Sequence, residues 1–120
     1  MTEHRASHLS DSDLLRLRTA LSRKRDELIA AQRATSSEQR GVYDRETEQG
    51  DVAETQIEQE AALRIGAFDA TLLADVERAL KKLDDGHYGT SEDSGAPIPL
   101  ERLDAVPWAR RTAAEEERRR

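Results

Sequence analysis

The sequence contains no cysteine among its 120 residues. This excludes disulfide bonds and thiolate-ligated metal sites, and it is compatible with a reducing compartment. Aromatic residues make up only 3% of the chain, and hydrophobic residues make up 36% against 37% charged. Because a compact globule of this length usually has more apolar material, the composition favours long, solvent-exposed helices around a thin core.

Long apolar runs and an excess of basic charge are also missing. No run approaches the length of a membrane span, and residues 1–13 lack the apolar core of a signal peptide. The formal net charge is −6, which disfavours direct binding to a nucleic-acid backbone. The sequence has no nucleophilic cysteine, no glycine-rich phosphate loop and no serine with histidine and acidic partners in a recognisable context. We therefore expect a cytoplasmic protein that is not an enzyme and contacts neither membrane nor nucleic acid.

Two long helical patterns occupy most of the chain. The segment "SDSD" at 10–13 offers N-cap residues, and the apolar spacing after it predicts a helix over 11–38. Ser, Gly and Asp then accumulate, which predicts a turn between Gly41 and Gly50. A second helix is predicted from Asp51 to a C-terminal stop at Gly86. Its apolar stripe consists of Ile57, Ala61, Ile65, Phe68, Leu72, Val76, Leu80 and Leu83.

Neither narrow stripe is buried by its own helix, so an antiparallel helical hairpin is the simplest arrangement. The predicted fold is mostly all-α, with a disordered N-terminus over 1–10, a coiled-coil hairpin over 11–86 with its tip near 41–54, and a small module over 87–120. The module holds all three prolines. It is predicted to contain a short helix or a turn, followed by a terminal helix with Pro107 in its first turn.

The predicted tip is rich in acidic residues. Asp51 and Glu54 are three residues apart, so both side chains point to one side of the first helical turn. Carboxylates there stabilise the start of a helix. A functional alternative is that they project from the tip and reach a metal ion or a basic groove of a partner.

The segment "GTSEDSG" at 89–95 has the spacing of a zinc knuckle, with Ser91 and Ser94 where cysteines usually stand. Serine in such a turn bonds nearby backbone groups, and hydroxyls are weak ligands for zinc. We expect no metal here and no cofactor. Tyr88 and Trp108 are predicted to pack the module onto the base of the hairpin.

Three quoted segments carry a family resemblance: "GDVAETQ" at 50–56, "ADVERALKKLDDGHYG" at 74–89 and "SEDSGAPIPLERLDAVP" at 91–107. Together they resemble the DksA/TraR family of bacterial and phage-borne proteins. The resemblance implies a helical hairpin, a zinc-finger-like globule at its base and a terminal helix. It also implies binding to core RNA polymerase through the secondary channel, with the hairpin tip directed toward the active site.

The resemblance assigns residues to both ends of the hairpin. The family's tip motif is Asp-x-x-Asp-x-Ala, and here Asp51 matches, Glu54 keeps the charge and Gln56 replaces alanine. The four zinc-ligand positions fall on Ser91, Ser94, Thr112 and Glu115. The module is therefore expected to fold without metal, held by packing that includes Tyr88 and Trp108.

Some family members bind a guanosine tetraphosphate alarmone through basic residues. The matching positions here are Asp75, Val106 and Glu116, none of which is basic. We expect no alarmone binding, and a monomer whose protein partner is RNA polymerase. The alternative is a helical adaptor, a diverged relative that does not bind polymerase. A dimeric coiled coil needs an apolar seam through 35–50, where the seam fades, and this favours the hairpin.

Overall fold

The computed structural model describes residues 8–49 and 52–120, and the side chains of these residues except 35–49, 52–57, 59 and 62. The helices of this part of the chain are α1 (Asp11–Gln49), α2 (Val52–Asp85), α3 (Leu100–Ala105) and α4 (Ala113–Arg118). The same residues form no β-strand, only an isolated antiparallel bridge between Thr90 and Pro97. The predicted fold class, mostly all-α, is confirmed.

The chain divides into two compact units. Unit 1 comprises the residues up to Arg25 together with Ala74–Arg120, and unit 2 comprises Asp26–Leu73. Of the 25 acidic residues, eleven lie in unit 2, against only four of the 19 basic residues. The negative charge of the protein is therefore concentrated in unit 2, and unit 1 is close to neutral.

α1 begins where the N-cap pattern predicts. The Ser10 hydroxyl accepts a hydrogen bond from the Asp13 amide at 3.0 Å, and the Asp13 carboxylate accepts one from the Ser10 amide at 3.0 Å. This reciprocal pair satisfies two amides of the first helical turn. The hydrogen bonds from Ser10 hold the pKa of Asp13 below its usual value.

The residues just before α1 are packed in place, which differs from the predicted disorder over 1–10. Leu9 is buried, and His8 Nε2 lies 2.7 Å from the Ile98 carbonyl oxygen. Burial of the Leu9 side chain offsets the entropy of ordering these residues. The remaining seven positions of that prediction lie outside the described residues.

α1 also runs longer than predicted, to Gln49 rather than to 38. The segment after residue 38 contains one glycine, Gly41, and no proline. A single glycine inside a helix costs only about 1 kcal/mol relative to alanine, whereas proline costs about 3. The polar composition of this segment is therefore insufficient to end the helix. The turn predicted between Gly41 and Gly50 is wrong over 41–49, and residues 50 and 51 lie outside the described residues.

α2 ends as predicted at Gly86, which has a φ of 77°. The His87 amide donates to the Lys82 carbonyl oxygen at 2.8 Å, and the Gly86 amide donates to the Leu83 carbonyl oxygen at 3.3 Å. These two bonds form a Schellman motif. The motif requires one residue with a left-handed backbone conformation, which glycine adopts without a clash because it has no Cβ. The motif sets the direction in which the chain enters the module.

The core of unit 1 joins both long helices to the module. Its innermost side chains come from α1, α2 and the module: Leu17, Leu21, Val76, Ile98 and Leu103, each less than 2% exposed. Ion pairs at the surface, such as Arg16 with Asp104 at 2.8 Å, add little because they are exposed. Apolar burial is therefore the main stabilising contribution in unit 1.

In unit 2 the predicted apolar stripe of α2 is only partly covered. Leu72 and Leu73 are half-buried, whereas Ile65 and Phe68 are exposed. α1 contributes Leu28, which is buried, and Ile29, which is half-buried, and then continues with alanine, glutamine and arginine. The stripe is therefore not covered at Ile65 and Phe68, because the described part of α1 in unit 2 offers little apolar surface to cover them.

The two short helices follow the prolines. α3 begins directly after Pro99, so the structure has the helix of the two predicted alternatives, helix or turn. The terminal helix differs from its prediction: α4 begins at Ala113 with Thr112 as N-cap, and Pro107 lies six residues earlier in non-helical chain. A side-chain cap at Thr112 therefore determines the start of α4, not the proline. None of the helices in the described part of the chain is long and apolar enough to cross a membrane.

Candidate functional site: a module built around two carboxylates

The loop "GTSEDSG" folds as a tight turn. The Ser91 amide donates to the Ala96 carbonyl oxygen at 2.8 Å, and the Gly95 amide donates to the Ser91 carbonyl oxygen at 2.9 Å. Gly95 has a φ of 78°, a conformation that favours glycine. The Ser91 hydroxyl oxygen accepts hydrogen bonds from the amides of Asp93 at 3.1 Å and Ser94 at 3.3 Å. The predicted turn role of Ser91 is therefore present in the structure.

Glu115 connects this loop to α4. Its amide donates to the Thr112 hydroxyl oxygen at 3.2 Å, and its carboxylate accepts from the Thr112 amide at 2.9 Å, which completes a capping box. Hydrogen bonds from the hydroxyls of Ser91 and Ser94, and then from the Thr112 amide, lower the pKa of Glu115 to about 2. Ser91 and Glu115 are both buried. The structure thus brings the four predicted ligand positions together around the Glu115 carboxylate.

This cluster is poorly suited to a metal ion. It offers one carboxylate and three hydroxyls, and a hard divalent cation usually needs more charge or more oxygen ligands. Within the described residues, no group of three or more His, Cys, Asp or Glu side chains is placed to hold a metal. Hydrogen bonds to one anionic side chain link the loop and α4 instead.

A second carboxylate, Glu92, gathers three cations. Arg78 Nε donates to Glu92 Oε2 at 2.6 Å, Lys82 Nζ donates to the same oxygen at 3.1 Å, and Arg110 Nε donates to Oε1 at 3.0 Å. The hydrogen bond from Arg78, with those from Lys82 and Arg110, lowers the pKa of Glu92 to about 2 although burial opposes the shift. The Glu92 amide also donates to the Arg110 carbonyl oxygen at 2.8 Å. Glu92 therefore ties α2 to the segment that precedes α4.

Sequence reasoning did not identify Glu92 as a site residue. The sequence signal is the presence of basic residues near the end of α2 and before α4, whose common partner cannot be chosen among 25 acidic residues. The neighbouring Asp93 forms a further pair with Arg111, at 3.1 Å, and Arg111 also reaches Glu116 at 3.3 Å.

The two aromatic residues predicted to pack the module have different surroundings. Tyr88 is buried, its hydroxyl donates to the Pro107 carbonyl oxygen at 2.8 Å, and burial raises the pKa of its phenol. Trp108 is half-buried, and the Lys24 ammonium of α1 lies 5.8 Å from its ring centroid. At that distance the cation is attracted to the ring face. Trp108 therefore links the module to α1, and Tyr88 fixes the module internally.

An open cavity of about 220 Å³ lies beside this module. Its lining residues are Asp75, Arg102, Val106, Trp108, Ala109, Arg110, Arg111 and Glu116. The three positions compared with an alarmone site, Asp75, Val106 and Glu116, are therefore neighbours in space. The three arginines beside them were missed in the sequence because their common location depends on the tertiary fold.

The charges around the cavity largely compensate one another. Arg110 bonds Glu92 and lies 3.9 Å from Asp75, and Arg111 bonds Asp93 and Glu116. The buried Nε of Arg102 has no hydrogen-bond partner among the described residues.

The predicted tip residues cannot be placed. Asp51 lies outside the described residues, and Glu54 belongs to α2 with its side chain outside them. Their role at a hairpin tip therefore stays a prediction.

Comparison with solved structures gives the fold. The transcription factor DksA2 from Pseudomonas aeruginosa matches 95% of this chain and 88% of its own, with a TM-score of 0.83 and 29% sequence identity. The RNA polymerase binding protein and transcriptional regulator Dks from Chlamydia trachomatis matches 92% of this chain and 90% of its own, with a TM-score of 0.56 and 23% identity. The second likeness supports the fold alone.

Comparison with curated proteins points the same way. The RNA polymerase-binding transcription factor DksA of Caulobacter vibrioides is 27% identical over 110 residues, which cover 92% of this chain and 78% of that protein. General stress protein 16O of Bacillus subtilis is 56% identical over 45 residues, but the match spans only 28% of its length. No protein-family model matches the chain.

Two long consecutive helices followed by a small module with two short helices define a helical-hairpin protein with a C-terminal globule. The chain is similar to DksA proteins over more than nine tenths of its length, and it has no cysteine at the four ligand positions that the family resemblance assigns to the module.

Proposed function

We propose that this chain is a non-enzymatic regulator of transcription that acts in the cytoplasm by binding core RNA polymerase. The observation that carries the proposal is the likeness to DksA2 over 95% of the chain. The relative from Caulobacter, which matches 92% of the chain, is named as an RNA polymerase-binding transcription factor.

The proposed mode of binding is insertion of the hairpin into the secondary channel. The module and the base of the hairpin contact the channel rim, and Asp51 and Glu54 approach the active site from the tip. The concentration of negative charge in unit 2 supports this mode, because an acidic arm is attracted to a basic protein surface and repelled by nucleic acid. Carboxylates close to an active site that holds divalent metal ions influence the reaction through charge.

The first experiment separates binding from regulation. Purified core RNA polymerase is tested for capture of the wild type and of an Asp51→Asn/Glu54→Gln double variant, and both proteins are added to transcription reactions in vitro on a ribosomal-type promoter. We expect both to bind within about threefold of one another, and only the wild type to change transcript yield, because the tip acts after docking.

Glu58→Gln/Glu60→Gln is the matched control, since both residues are exposed on the same helix. The control variant is expected to regulate like the wild type. If the tip variant regulates equally well, the tip mechanism is wrong. If the wild type does not bind polymerase at all, the family fold serves another partner, and the adaptor alternative takes over.

The cavity beside Trp108 leads to a proposal about regulation by small molecules. Asp75 and Glu116 place carboxylates next to the arginines of the cavity, so a polyphosphate entering it meets both repulsion and cations that are already paired. We expect no alarmone binding in the micromolar range by titration calorimetry with guanosine tetraphosphate. Binding that tight would overturn this expectation and would direct attention to Arg102.

A further inference from the structure

Most of the exposed large hydrophobic side chains of the described residues lie close together on α2. These exposed side chains are Leu15, Leu63, Ile65 and Phe68, and the last three lie within six residues of α2. Ile65 is 59% exposed and Phe68 is 69% exposed. Positions three apart lie side by side on a helix, so these two side chains form one apolar patch, whereas Leu63 points to another side of α2.

The patch lies on the same stripe of α2 as core residues of unit 1, but its side chains are exposed whereas theirs are buried. The stripe that holds Ile65 and Phe68 runs on to Val76 and Leu80, which are buried in unit 1. In the described part of unit 2, the large aliphatic side chains that α1 supplies are Leu28 and Ile29. Single exposed hydrophobic residues are ordinary, but an exposed aromatic and β-branched pair side by side on one face of a helix indicates a contact surface.

Charge narrows the choice of partner. Unit 2 carries eleven acidic residues and four basic ones. Two copies of this unit repel each other, as do unit 2 and a nucleic acid or an anionic membrane. An apolar patch within a unit of net negative charge instead complements a protein surface in which an apolar contact is flanked by basic residues.

The size of the patch indicates that it belongs to a larger interface. A fully buried aromatic side chain covers roughly 150–250 Å², so two partly exposed side chains offer far less than the roughly 800 Å² per partner of a stable complex. A self-standing dimer through this patch is therefore disfavoured. A few apolar anchors within a larger, charge-steered contact fit the observations better.

We infer that Ile65 and Phe68 form an apolar docking surface on α2 that contacts a basic protein surface, which under the proposed function is the wall of the polymerase channel. This inference rests on the proposed function. It adds a binding determinant separate from the acidic tip: the tip residues regulate, and the patch contributes affinity.

The test measures the affinity of the full chain for core RNA polymerase. We expect Ile65→Ala/Phe68→Ala to weaken binding at least tenfold, as anchor residues do, and Phe68→Leu to retain most of the affinity. Leu63→Ala is the matched control, because Leu63 is 63% exposed on another side of the same helix, and it is expected to bind within about twofold of the wild type. Circular dichroism should show unchanged melting for all three variants, since the replaced side chains are exposed.

The outcomes separate the inference from the proposed function. If the wild type binds and the double variant binds equally well, the docking surface is wrong while polymerase binding stands. If the wild type does not bind polymerase, both fail. Sedimentation of the chain alone gives a third outcome: a dimer that the double variant dissolves would show that a second copy occupies the patch, which also overturns the inference.

Discussion

At the scale of single residues, Glu115 determines how the module is held together. A buried carboxylate needs several hydrogen-bond donors, and the loop supplies the Ser91 and Ser94 hydroxyls while the helix supplies the Thr112 amide. Ser91 and Ser94 lie 21 and 18 positions before Thr112 in the sequence. The Glu115 side chain thus connects the loop to the start of α4.

The first residue-scale prediction concerns the loss of this acceptor. Glu115→Ala leaves the buried Ser91 hydroxyl without its acceptor and removes the capping box, so the thermal midpoint should fall by several degrees. Glu115→Gln keeps an acceptor and the cap and should fall less. Unfolding is followed by the fluorescence of Trp108, and Glu117→Ala, at an exposed position two residues further along α4, is the control. An equal midpoint for Glu115→Ala and Glu117→Ala would contradict the role given to Glu115.

The second residue-scale prediction concerns how the stability of the folded protein depends on pH. Glu115 and Glu92 both have a pKa lowered to about 2 in the folded protein, below the ordinary glutamate value of about 4.3. A lowered folded pKa contributes stability that is fully present above the unfolded value and is lost as pH falls toward the folded one. The wild type should therefore lose stability between about pH 4.5 and pH 2, and Glu115→Gln/Glu92→Gln should lose less over that interval.

Residue-scale features were only partly readable from the sequence. The four positions around Glu115 were assigned by the family resemblance, and the turn at Ser91 by its local composition. That Glu115 accepts from the serines was not predictable, because the cysteine pattern specifies positions and not which side chain receives the hydrogen bonds. Glu92 was missed altogether, since its partners lie on α2 and before α4, up to 18 residues away.

At the scale of elements, helix ends were predictable where a local signal decides them. Ser10 caps α1 and Gly86 ends α2, and both signals lie within a few residues of the helix end. Pro107 was misleading, because proline is accepted in the first turn of a helix but does not require one. The length of α1 was underestimated because the sum of weak preferences after residue 38 was treated as a stop.

At the scale of elements, we predict that alanine substitutions at two glycines change the stability of the protein in opposite directions. Gly66 lies inside α2, and a Cβ there would meet no atom within 4 Å. Gly66→Ala should therefore stabilise the protein by about 0.5–1 kcal/mol, by reducing the entropy of the unfolded chain. Gly95 is equally open but has a φ of +78°, so Gly95→Ala should destabilise it.

Urea unfolding followed by circular dichroism measures both changes. The pair is informative because neither substitution creates a steric contact, so the difference reports backbone conformation alone. A loss of stability in Gly66→Ala would indicate that α2 is not a regular helix at this position.

At the scale of the whole molecule, composition predicted a thin core and long helices, and both are present. The distribution of charge between the units follows from the sequence once the unit boundaries are known, but the boundaries themselves depend on the fold. The exposure of Ile65 and Phe68 was not predictable, because a helical stripe gives the spacing of apolar residues and not the surface that faces them. The proposed function uses both features: the negative charge of unit 2 attracts a basic partner surface, and Ile65 and Phe68 contact that surface.

The carboxylate at the centre of the module has a further consequence for how the protein reaches its working form. A module held by a zinc ion acquires that ion from solution, so the fraction folded follows the free concentration of the metal. Glu115 is part of the polypeptide, so it is supplied in equal number with the loop it joins, at the moment of synthesis. Through Glu115, the stability of this module depends on pH, and it falls only in acid well below neutrality.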